Sequence, residues 1–278
     1  MVFIESHIPS CLADLVHCVT YIQQDFPTNG GMFYFHPPTP QSGICFHFHA
    51  PISLYDPNTN QFFKQPQSIV VGPQLNPVWI YSKDHYRTVR VGLLPGALFR
   101  LTGIPQNQLL DQGIDAELIF GNKIKTLNQA LLQTTSPYCA LELIQSFLFQ
   151  QLTICKDKHH LDVAMHMLWS NPEHMKINIL ADKSCLSTRQ LERISQKRIG
   201  MHPKLYHRIV RFSKAFQMLE QDSSKNLTKL AYSNEYFDRQ HLKKDFKSFT
   251  GMNMENLIHE INNAQISIQG RLNYSSDR

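Results

Sequence analysis

The segment KINILADKSCLSTRQLERISQKRIG, residues 176–200, decides how the C-terminal half of this chain is interpreted. Three apolar residues at helical spacing predict one edge of a short helix: Ile177, Leu180 and Ala181. Ser187 predicts the N-cap of a second helix, in which Leu191 and Ile194 point inward. The outward positions of this second helix are polar or basic apart from Glu192. The segment therefore predicts a pair of helices with a polar, mostly basic outer face.

The same order of residues recurs in NLTKLAYSNEYFDRQHLKKDFKSFTG, residues 226–251. The first helix of this second copy has an apolar edge formed by Leu227, Leu230 and Ala231, and the helix after the polar turn carries Leu242 and Phe246 inward. Between the copies, apolar residues recur at steps of four and three: Leu205, Ile209, Phe212, Phe216 and Leu219. A helix from Pro203 to Glu220 is about 27 Å long, which is close to the roughly 34 Å of one DNA turn.

In these segments the chain resembles the DNA-binding domain of the AraC/XylS family of bacterial transcription regulators. The resemblance covers roughly the last hundred residues and rests on several motifs in one order: ILA, LSTRQLERI, RIG and KLYHRIVRFSKA, then LA and DRQHLKKDFKSFTG. It implies an all-α domain with two helix-turn-helix motifs joined by a long helix.

The sequence departs from the family pattern at three places. Glu235 and Tyr236 stand where the family usually has Gly-Phe, so Glu235 is expected at a strained backbone angle. Met254 replaces an expected proline, and Ser195 replaces an aromatic residue that normally packs. Two of these departures fall in the second copy, so DNA binding is a firmer expectation than equal use of both helices.

Length and charge divide the chain into two predicted domains. The 278 residues, 42% of them hydrophobic, suffice for two cores. Residues 1–155 hold 7 Lys+Arg and 9 Asp+Glu, a balance of −2, whereas residues 156–278 hold 20 and 13, a balance of +7. The basic charge lies in the half with the helical pairs, as a phosphate-binding module requires. We predict a sensing or dimerisation domain at 1–155 and the DNA-binding domain at 156–278, with the boundary in the polar stretch 156–160.

The chain is predicted to be cytoplasmic. Its six cysteines show no C-x-x-C pair and no regular spacing, which favours a reducing compartment. It has no long apolar run and no basic region followed by an apolar core at its N-terminus, so neither a membrane span nor a signal peptide is expected.

The N-terminal half predicts an antiparallel β barrel or sandwich, followed by helices. Short runs rich in aromatic and β-branched residues predict strands at 32–35, 44–49, 52–55, 68–71, 78–81 and 88–94. Beyond Pro95 the pattern is helical, with an apolar stripe at Leu141, Ile144, Leu148 and Leu152 that is a dimer seam or packing within the domain. The fold class is therefore α+β.

The runs SIVVGPQ, residues 68–74, and VRVGLLPGALFRLTGIP, residues 89–105, resemble a cupin-like sensing domain found ahead of this type of DNA-binding domain. This resemblance implies that the domain receives a signal or holds two chains together. Alternating aromatic residues either fill the core or line an effector pocket: Phe33, Phe35, Phe46, Phe48, Trp79 and Tyr81.

The outward residues of the two recognition helices are candidates for base contacts. Arg189 or Arg193 could bind guanine through two hydrogen bonds, Gln190 and Gln240 could address adenine, and Thr188 could touch a thymine methyl group. The remaining candidates are Gln196, Phe237, Arg239, Lys243 and Asp238, the last of which either accepts from cytosine or caps its helix. The plain alternative for all of them is a solvated helix face.

A second set of residues is predicted to contact phosphates, which positions a protein on the duplex without reading sequence. Its members are Ser187, Lys197, Arg198, Lys204, Arg208, Arg211, Lys244 and Lys247. Each of them is otherwise an ordinary surface residue.

A metal site is a further candidate in the N-terminal half. His47 and His49 are two apart, so on one strand they would face the same side, and His36 could complete the site. The alternative interpretation of FHFH is an alternating strand with two polar positions. We expect no metal or other cofactor. Cys45 is expected to be a buried structural thiol rather than a nucleophile.

The leading hypothesis is a sequence-specific transcription regulator that binds double-stranded DNA and is not an enzyme. Its predicted partners are a small-molecule effector of unknown identity, a second copy of the chain and, for an activator, RNA polymerase. Two alternatives stay open at this point. One is a cupin-type small-molecule-binding or metal-dependent enzyme with a helical appendage, and the other is a protein-interaction adaptor with a degenerate DNA-binding domain.

Overall fold

The computed structural model describes residues 1–26, 31–264 and 268. Its N-terminal half contains two antiparallel sheets with helices against one of them, and its C-terminal half is helical. The predicted α+β class is therefore confirmed. Among the described helices, none combines the length and the apolar character that a membrane span needs.

The two sheets share an antiparallel arrangement throughout. The first has the spatial order β1 (Val2–Glu5), β2 (Val16–Asp25), β9 (His85–Leu93), β4 (Gly43–His47), β7 (Ser68–Val71) and β10 (Gly113–Asp115). The second has the order β3 (Met32–His36), β8 (Val78–Ser82), β5 (Ile52–Asp56) and β6 (Gln61–Lys64). The six predicted strands are all present, with shifted ends at β4 and β9.

Sequence patterning missed four strands, of which β2 is the longest. This strand pairs with β1 on one side and β9 on the other, and it is buried on both faces from Cys18 to Ile22. A strand buried on both faces has no alternation of apolar and polar residues, so its period-two signal disappears.

Four helices follow in the N-terminal half: α1 (Ala97–Thr102), α2 (Ala116–Phe120), α3 (Asn122–Gln133) and α4 (Pro137–Gln151). Helix α4 packs against β2 and β9. Its stripe residues Leu141, Ile144 and Leu148 are buried in the core, and Phe147 lies 6.3 Å from Phe46 between ring centroids. The stripe is therefore packing within the domain rather than a dimer seam.

The described residues of the C-terminal half form seven α-helices: α5 (His160–Ser170), α6 (Ile177–Ser184), α7 (Thr188–Ile199), α8 (Pro203–Gln221), α9 (Leu227–Ser233), α10 (Arg239–Thr250) and α11 (Met254–Asn263). Both predicted helical pairs and the connecting helix α8 are confirmed. The 19 residues of α8 give a helix about 28 Å long.

The apolar stripe of α8 forms the core that holds the second helical pair. The Phe212 ring lies 4.8 Å from Phe246 and 5.0 Å from Phe249 of α10. Because Phe212 is fully buried, its replacement by alanine would cost about 3–5 kcal/mol of stability. The spacing between the two pairs thus depends on a rigid, well-packed helix.

The two halves of the chain also contact each other. Phe35 of β3 lies 6.3 Å from Phe216 of α8, and His17 of β2 lies 4.5 Å from Trp169 of α5, measured between ring centroids. At Gly200, which follows α7 with φ 97°, an added Cβ would lie 2.9 Å from Pro73 Cγ and 3.0 Å from the Gln106 carbonyl oxygen of the N-terminal half, closer than van der Waals contact. The C-terminal end of α7 therefore lies against the N-terminal half.

Candidate DNA-binding surface and N-terminal cavity

The first helix-turn-helix motif consists of α6, a short turn and α7. Ser187 caps α7 in a reciprocal arrangement with Gln190: the Gln190 amide donates to Ser187 Oγ at 3.4 Å, and the Ser187 amide donates to Gln190 Oε1 at 3.0 Å. Cys185 in the turn has a left-handed backbone, with φ 54°. The predicted N-cap is therefore confirmed.

The second motif, from α9 to α10, repeats this plan with a longer turn. Asp238 Oδ1 accepts a hydrogen bond from the His241 amide at 2.7 Å, so Asp238 caps α10. Glu235 has φ 58°, the left-handed conformation expected for the residue that stands at the glycine of the family pattern. Glu235 and Cys185 occupy the same place in their turns, four residues after Ala231 and Ala181.

The outward face of α7 exposes three of the predicted base-contact residues without constraint. Thr188, Arg189 and Arg193 are exposed, and none of them bonds to another residue that the structure describes. Gln190 is exposed, but its carbonyl is used by the cap. Gln196 lies 2.7 Å from the ring of His202. The two arginines are therefore the side chains most available for bidentate bonds to guanine.

The corresponding face of α10 exposes Arg239 and Gln240, which likewise bond to nothing else in the described part of the chain. Phe237, in the turn before the helix, is 84% exposed, an unusual exposure for a phenylalanine. Lys243 lies 3.6 Å from Glu255 of α11. The face is basic, with one apolar residue at its leading end.

The predicted phosphate contacts fall into two groups. The exposed residues lie on α7 and α10 or next to α7 in sequence: Ser187, Lys197, Lys204, Lys244 and Lys247. Arg208 is intermediate, because its guanidinium donates to Asp245 at 2.8 Å and to Ser248 Oγ at 3.0 Å while 38% of its side chain is exposed.

Arg198 and Arg211 correct the sequence prediction. Arg198 is 8% exposed, and its guanidinium donates twice to Asp162 of α5. Arg211 donates to the Glu235 carbonyl oxygen at 2.8 Å and lies against Asp245, with 14% of its side chain exposed. Helical periodicity alone places both arginines outward, but neighbouring helices cover them, so neither belongs to the exposed face.

The cluster around Glu235 fixes the second turn to α8. Burial raises the pKa of the Glu235 carboxyl, and the nearby Arg211 guanidinium only partly opposes this effect. Burial also lowers the pKa of His207, whose Nε2 lies 3.9 Å from the Glu235 carboxylate. The strained turn therefore carries a carboxylate in an environment that disfavours its charge.

The N-terminal half encloses a cavity of about 140 Å³ between its two sheets. Its walls are mostly apolar and come from both sheets, including Ile22, Ile52, Leu54, Ile69, Val78 and Ile80. Such a space, apolar with a few polar groups, is the usual form of a small-molecule site.

Polar groups on β4 and β9 line one wall of this cavity. His47 Nδ1 and Thr88 Oγ1 are buried and make no hydrogen bond within the described structure. Arg90, also in the wall, donates to Gln41 Oε1 at 2.6 Å. Burial lowers the pKa of His47 to about 4, so the imidazole is neutral near pH 7.

The six aromatic residues predicted to line a pocket do not line this cavity. Phe46 packs toward Phe147 on the helical side of the first sheet, and Phe48 lies 6.0 Å from Tyr21. Phe35 lies 6.3 Å from Phe216 of α8 and 5.2 Å from Trp79, measured between ring centroids. Phe33 and Tyr81 lie in a partly exposed cluster on the outer face of the second sheet.

The prediction was therefore wrong, because the predicted residues other than Phe33 are next in sequence to those that line the cavity and point to the other side. On β4 the cavity side is formed by Gly43, Cys45 and His47, and on β8 it is formed by Val78 and Ile80. The first sheet has helices on its far side, so its aromatic residues are buried there instead. Sequence reasoning missed the polar wall because Thr88 and Arg90 lie on a strand that is buried on both faces.

The candidate metal pair does not share one strand face. Strand β4 ends at His47, and His49 follows with φ 73° and its Nε2 3.3 Å from the Thr134 carbonyl oxygen. The described residues contain no group of three or more His, Cys, Asp or Glu side chains that could hold a metal ion. His36 and His47 instead line the cavity together.

Two capped recognition helices with exposed basic faces, set on either side of one long helix, define the class of DNA-binding transcription regulators. Residues 180–258 match the family model of a helix-turn-helix domain, and this domain is of the AraC type. The protein is thus a transcription regulator with an AraC-type DNA-binding domain. No curated protein sequence matches the chain.

Solved structures of other regulators are similar to this chain. ToxT from Vibrio cholerae O395 is 10% identical, with 88% of this chain and 99% of that chain covered and a TM-score of 0.49. Wild-type ToxT from Vibrio cholerae strain SCE256, with an unsaturated fatty acid bound, is 10% identical over 87% and 99%, with a TM-score of 0.47. The AraC-like transcriptional activator CuxR is 12% identical over 64% and 70%, with a TM-score of 0.27.

Proposed function

We propose that this regulator places α7 and α10 in successive segments of the major groove of double-stranded DNA, with α8 setting their separation. The observation that carries the proposal is that both helices are capped at the end nearest their exposed basic residues and are joined by about 28 Å of packed helix. Recognition helices contact base edges through their N-terminal residues, which is where these arginines lie.

The base-reading residues in this proposal are those that are exposed and uncommitted: Thr188, Arg189, Arg193, Arg239 and Gln240. Phe237 joins them as an apolar contact to a thymine methyl group. Gln190, Gln196 and Lys243 would first have to release their present partners. Asp238 acts as a cap rather than as a reader of cytosine.

The phosphate contacts in this proposal come from Ser187, Lys197, Lys204, Lys244 and Lys247, with Arg208 as a partial contributor. Neutralising phosphates releases counterions, so the affinity should fall steeply as salt rises. The two proposed units are residues 1–155 and 156–278, of which residues 27–30, 265–267 and 269–278 lie outside the described part.

The direct test is to select binding duplexes from a random-sequence library with the purified protein and then to map the protected bases. The proposal expects two protected major-groove segments about one turn apart. Arg193→Ala and Arg239→Ala should each relax selection at a different base pair, costing about 1–3 kcal/mol there.

Lys123→Ala is the matched control, because it removes one exposed positive charge from the N-terminal half. It should leave both the selected sequence and the footprint unchanged. Protection of one segment alone would mean that the second motif does not read bases, and no binding at low salt would overturn the proposal as a whole.

We further propose that the cavity between the sheets is the effector site. Its apolar walls fit the apolar body of a small molecule, and the wall with His47, Thr88 and Arg90 fits a polar or anionic group at one end. A bound molecule would then act through the contacts between the N-terminal half and the end of α7.

The anionic fluorescent probe 1-anilinonaphthalene-8-sulfonate tests this site directly. Saturable binding should be weakened by Val78→Phe, which adds bulk to the cavity wall on β8. The matched control Val2→Phe makes the same change on an edge strand, where residue 2 is 41% exposed, and should not alter binding. Equal binding by both variants would place the probe elsewhere and overturn the assignment of the cavity.

Regulators with helix-turn-helix domains are generally non-enzymatic, and we propose no catalytic role for this chain. Homodimerisation, contact with RNA polymerase and a cytoplasmic location remain predictions from the sequence. The mobility of the complex on gels of varied protein concentration would test the first of them.

A further inference from the structure

A residue from the far C-terminal end of the chain lies in the wall of the N-terminal cavity. Ile268 follows α11, the last helix of the described residues, yet it is 3% exposed and is one of the residues that line the cavity. More than 150 residues separate it in sequence from every other residue of that wall. Its burial is therefore a long-range contact between the two ends of the molecule.

This contact is apolar, like the contact that an apolar ligand would make with the cavity. The side chain of isoleucine is purely apolar, and it meets a cavity whose walls are mostly apolar. Removal of such a side chain from water is favourable wherever apolar walls receive it. Ile268 is thus held to the N-terminal half through the same kind of surface that an apolar effector would use.

Helix α11, in turn, is part of the DNA-binding half. It packs against α8 and α10, and Met254 and Leu257 are its buried residues. Glu255 of α11 lies 3.6 Å from Lys243 of the second recognition helix. A displacement of Ile268 would therefore act on an element that contacts α10 directly.

We propose that Ile268 is an intramolecular occupant of the effector cavity, and that an effector larger than the remaining 140 Å³ displaces it. The displacement of Ile268 by an effector rests on the proposed effector site, whereas the presence of Ile268 in the cavity does not. Binding of an effector and seating of Ile268 exclude each other, so the effector releases Ile268, which follows α11 by five residues in the sequence. This mechanism links the cavity to the second recognition helix by competition, as a population shift between two states.

The reactivity of a native cysteine can report whether Ile268 occupies the cavity. Cys45 lines the cavity, whereas Cys18 is buried in the same sheet and does not line it. Alkylation of each thiol by N-ethylmaleimide can be followed on the intact protein by peptide mass spectrometry. Because burial raises the pKa of the Cys45 thiol, the reaction is best run at mildly alkaline pH, where the thiolate is more abundant.

If Ile268 covers the cavity, Ile268→Ala should speed the alkylation of Cys45 by about tenfold, with Cys18 unchanged. The matched control is Ile261→Ala, which removes the same atoms from a partly buried isoleucine of α11 and should leave the Cys45 rate as it is. An unchanged rate of Cys45 alkylation in Ile268→Ala would overturn the proposal that Ile268 occupies the cavity. So would a parallel rise at Cys18, because that result would mean a general loosening of the domain.

The competition is tested separately with 1-anilinonaphthalene-8-sulfonate. Ile268→Ala should bind the probe about tenfold more tightly than the parent chain, since no side chain has to leave. Faster Cys45 alkylation without any probe binding would support occupation of the cavity by Ile268 and reject the effector site. Probe binding that is equally tight in both proteins would support the effector site and reject the competition.

Discussion

Arg198 of α7 and Asp162 of α5 form a buried ion pair in which the guanidinium donates twice, from Nε to Oδ1 at 2.7 Å and from Nη2 to Oδ2. Asp162 also accepts from the His159 amide, and an added Cβ at Gly96 would collide with its carboxylate. The pair therefore fixes the end of the first recognition helix to α5 and to the neighbouring N-terminal residues. Its stability and its role in DNA binding can be measured separately.

Arg198→Met should lower the free energy of unfolding by about 3–5 kcal/mol, because it leaves the buried Asp162 carboxylate without its partner. The double variant Arg198→Met with Asp162→Leu should recover part of this loss. Chemical denaturation measures both values. The slope of log affinity for DNA against log salt should stay unchanged in the double variant, whereas a loss of about one unit would mean that Arg198 does contact a phosphate.

Glu235→Gly should stabilise the protein by about 1 kcal/mol, because glycine adopts the left-handed conformation of the second turn without strain. The change also removes a carboxylate oxygen that is buried without a hydrogen bond in the described structure. Thermal unfolding measures the effect. Asp238→Ala is a useful contrast in the same turn, since loss of the cap should instead destabilise by about 1 kcal/mol.

The stability of the protein should fall as pH is lowered from 7 to 5, in part because of His47. In the folded state its pKa is about 4, whereas an unfolded histidine titrates near 6.5. Between these values the unfolded state binds more protons, so acid favours unfolding. From pH 7 to pH 5 this group should account for about 2 kcal/mol.

His47→Gln should therefore reduce the difference in unfolding free energy between pH 7 and pH 5 by about that amount. Urea denaturation at the two pH values measures it. The exposed His174 provides the control, and His174→Gln should leave the difference as it is in the parent chain. An equal difference in unfolding free energy between pH 7 and pH 5 in His47→Gln and the parent would mean that His47 is charged or solvated in the folded protein.

Lys204→Ala should weaken binding to all duplexes alike, because Lys204 lies at the exposed start of α8 and is proposed to contact phosphate. The salt slope of log affinity should fall by about one unit. Fluorescence anisotropy on one selected duplex and one scrambled duplex measures both effects. A loss confined to the selected duplex would instead make Lys204 a base-reading residue.

The helical architecture of the DNA-binding half could be predicted because its determinants are local. Ser187 caps α7 through a residue three positions away, and the stripe of α8 follows from the 3.6-residue period. Glu235 was expected at a strained backbone angle, and its φ is 58°, since turn conformation depends on a few neighbouring residues. The order of the two helical pairs and the connector followed from the sequence for the same reason.

The sequence by itself therefore determined the two helical pairs and their connecting helix, the Ser187 cap of α7 and the basic charge of the C-terminal half. Only the tertiary structure decided that Phe46 faces helices while His47 faces the cavity, because strand parity does not tell which side of a sheet is covered. It alone placed Ile268 in the wall of the cavity and Arg198 against Asp162. These contacts join residues far apart in sequence, and their burial depends on how whole elements pack rather than on any local pattern.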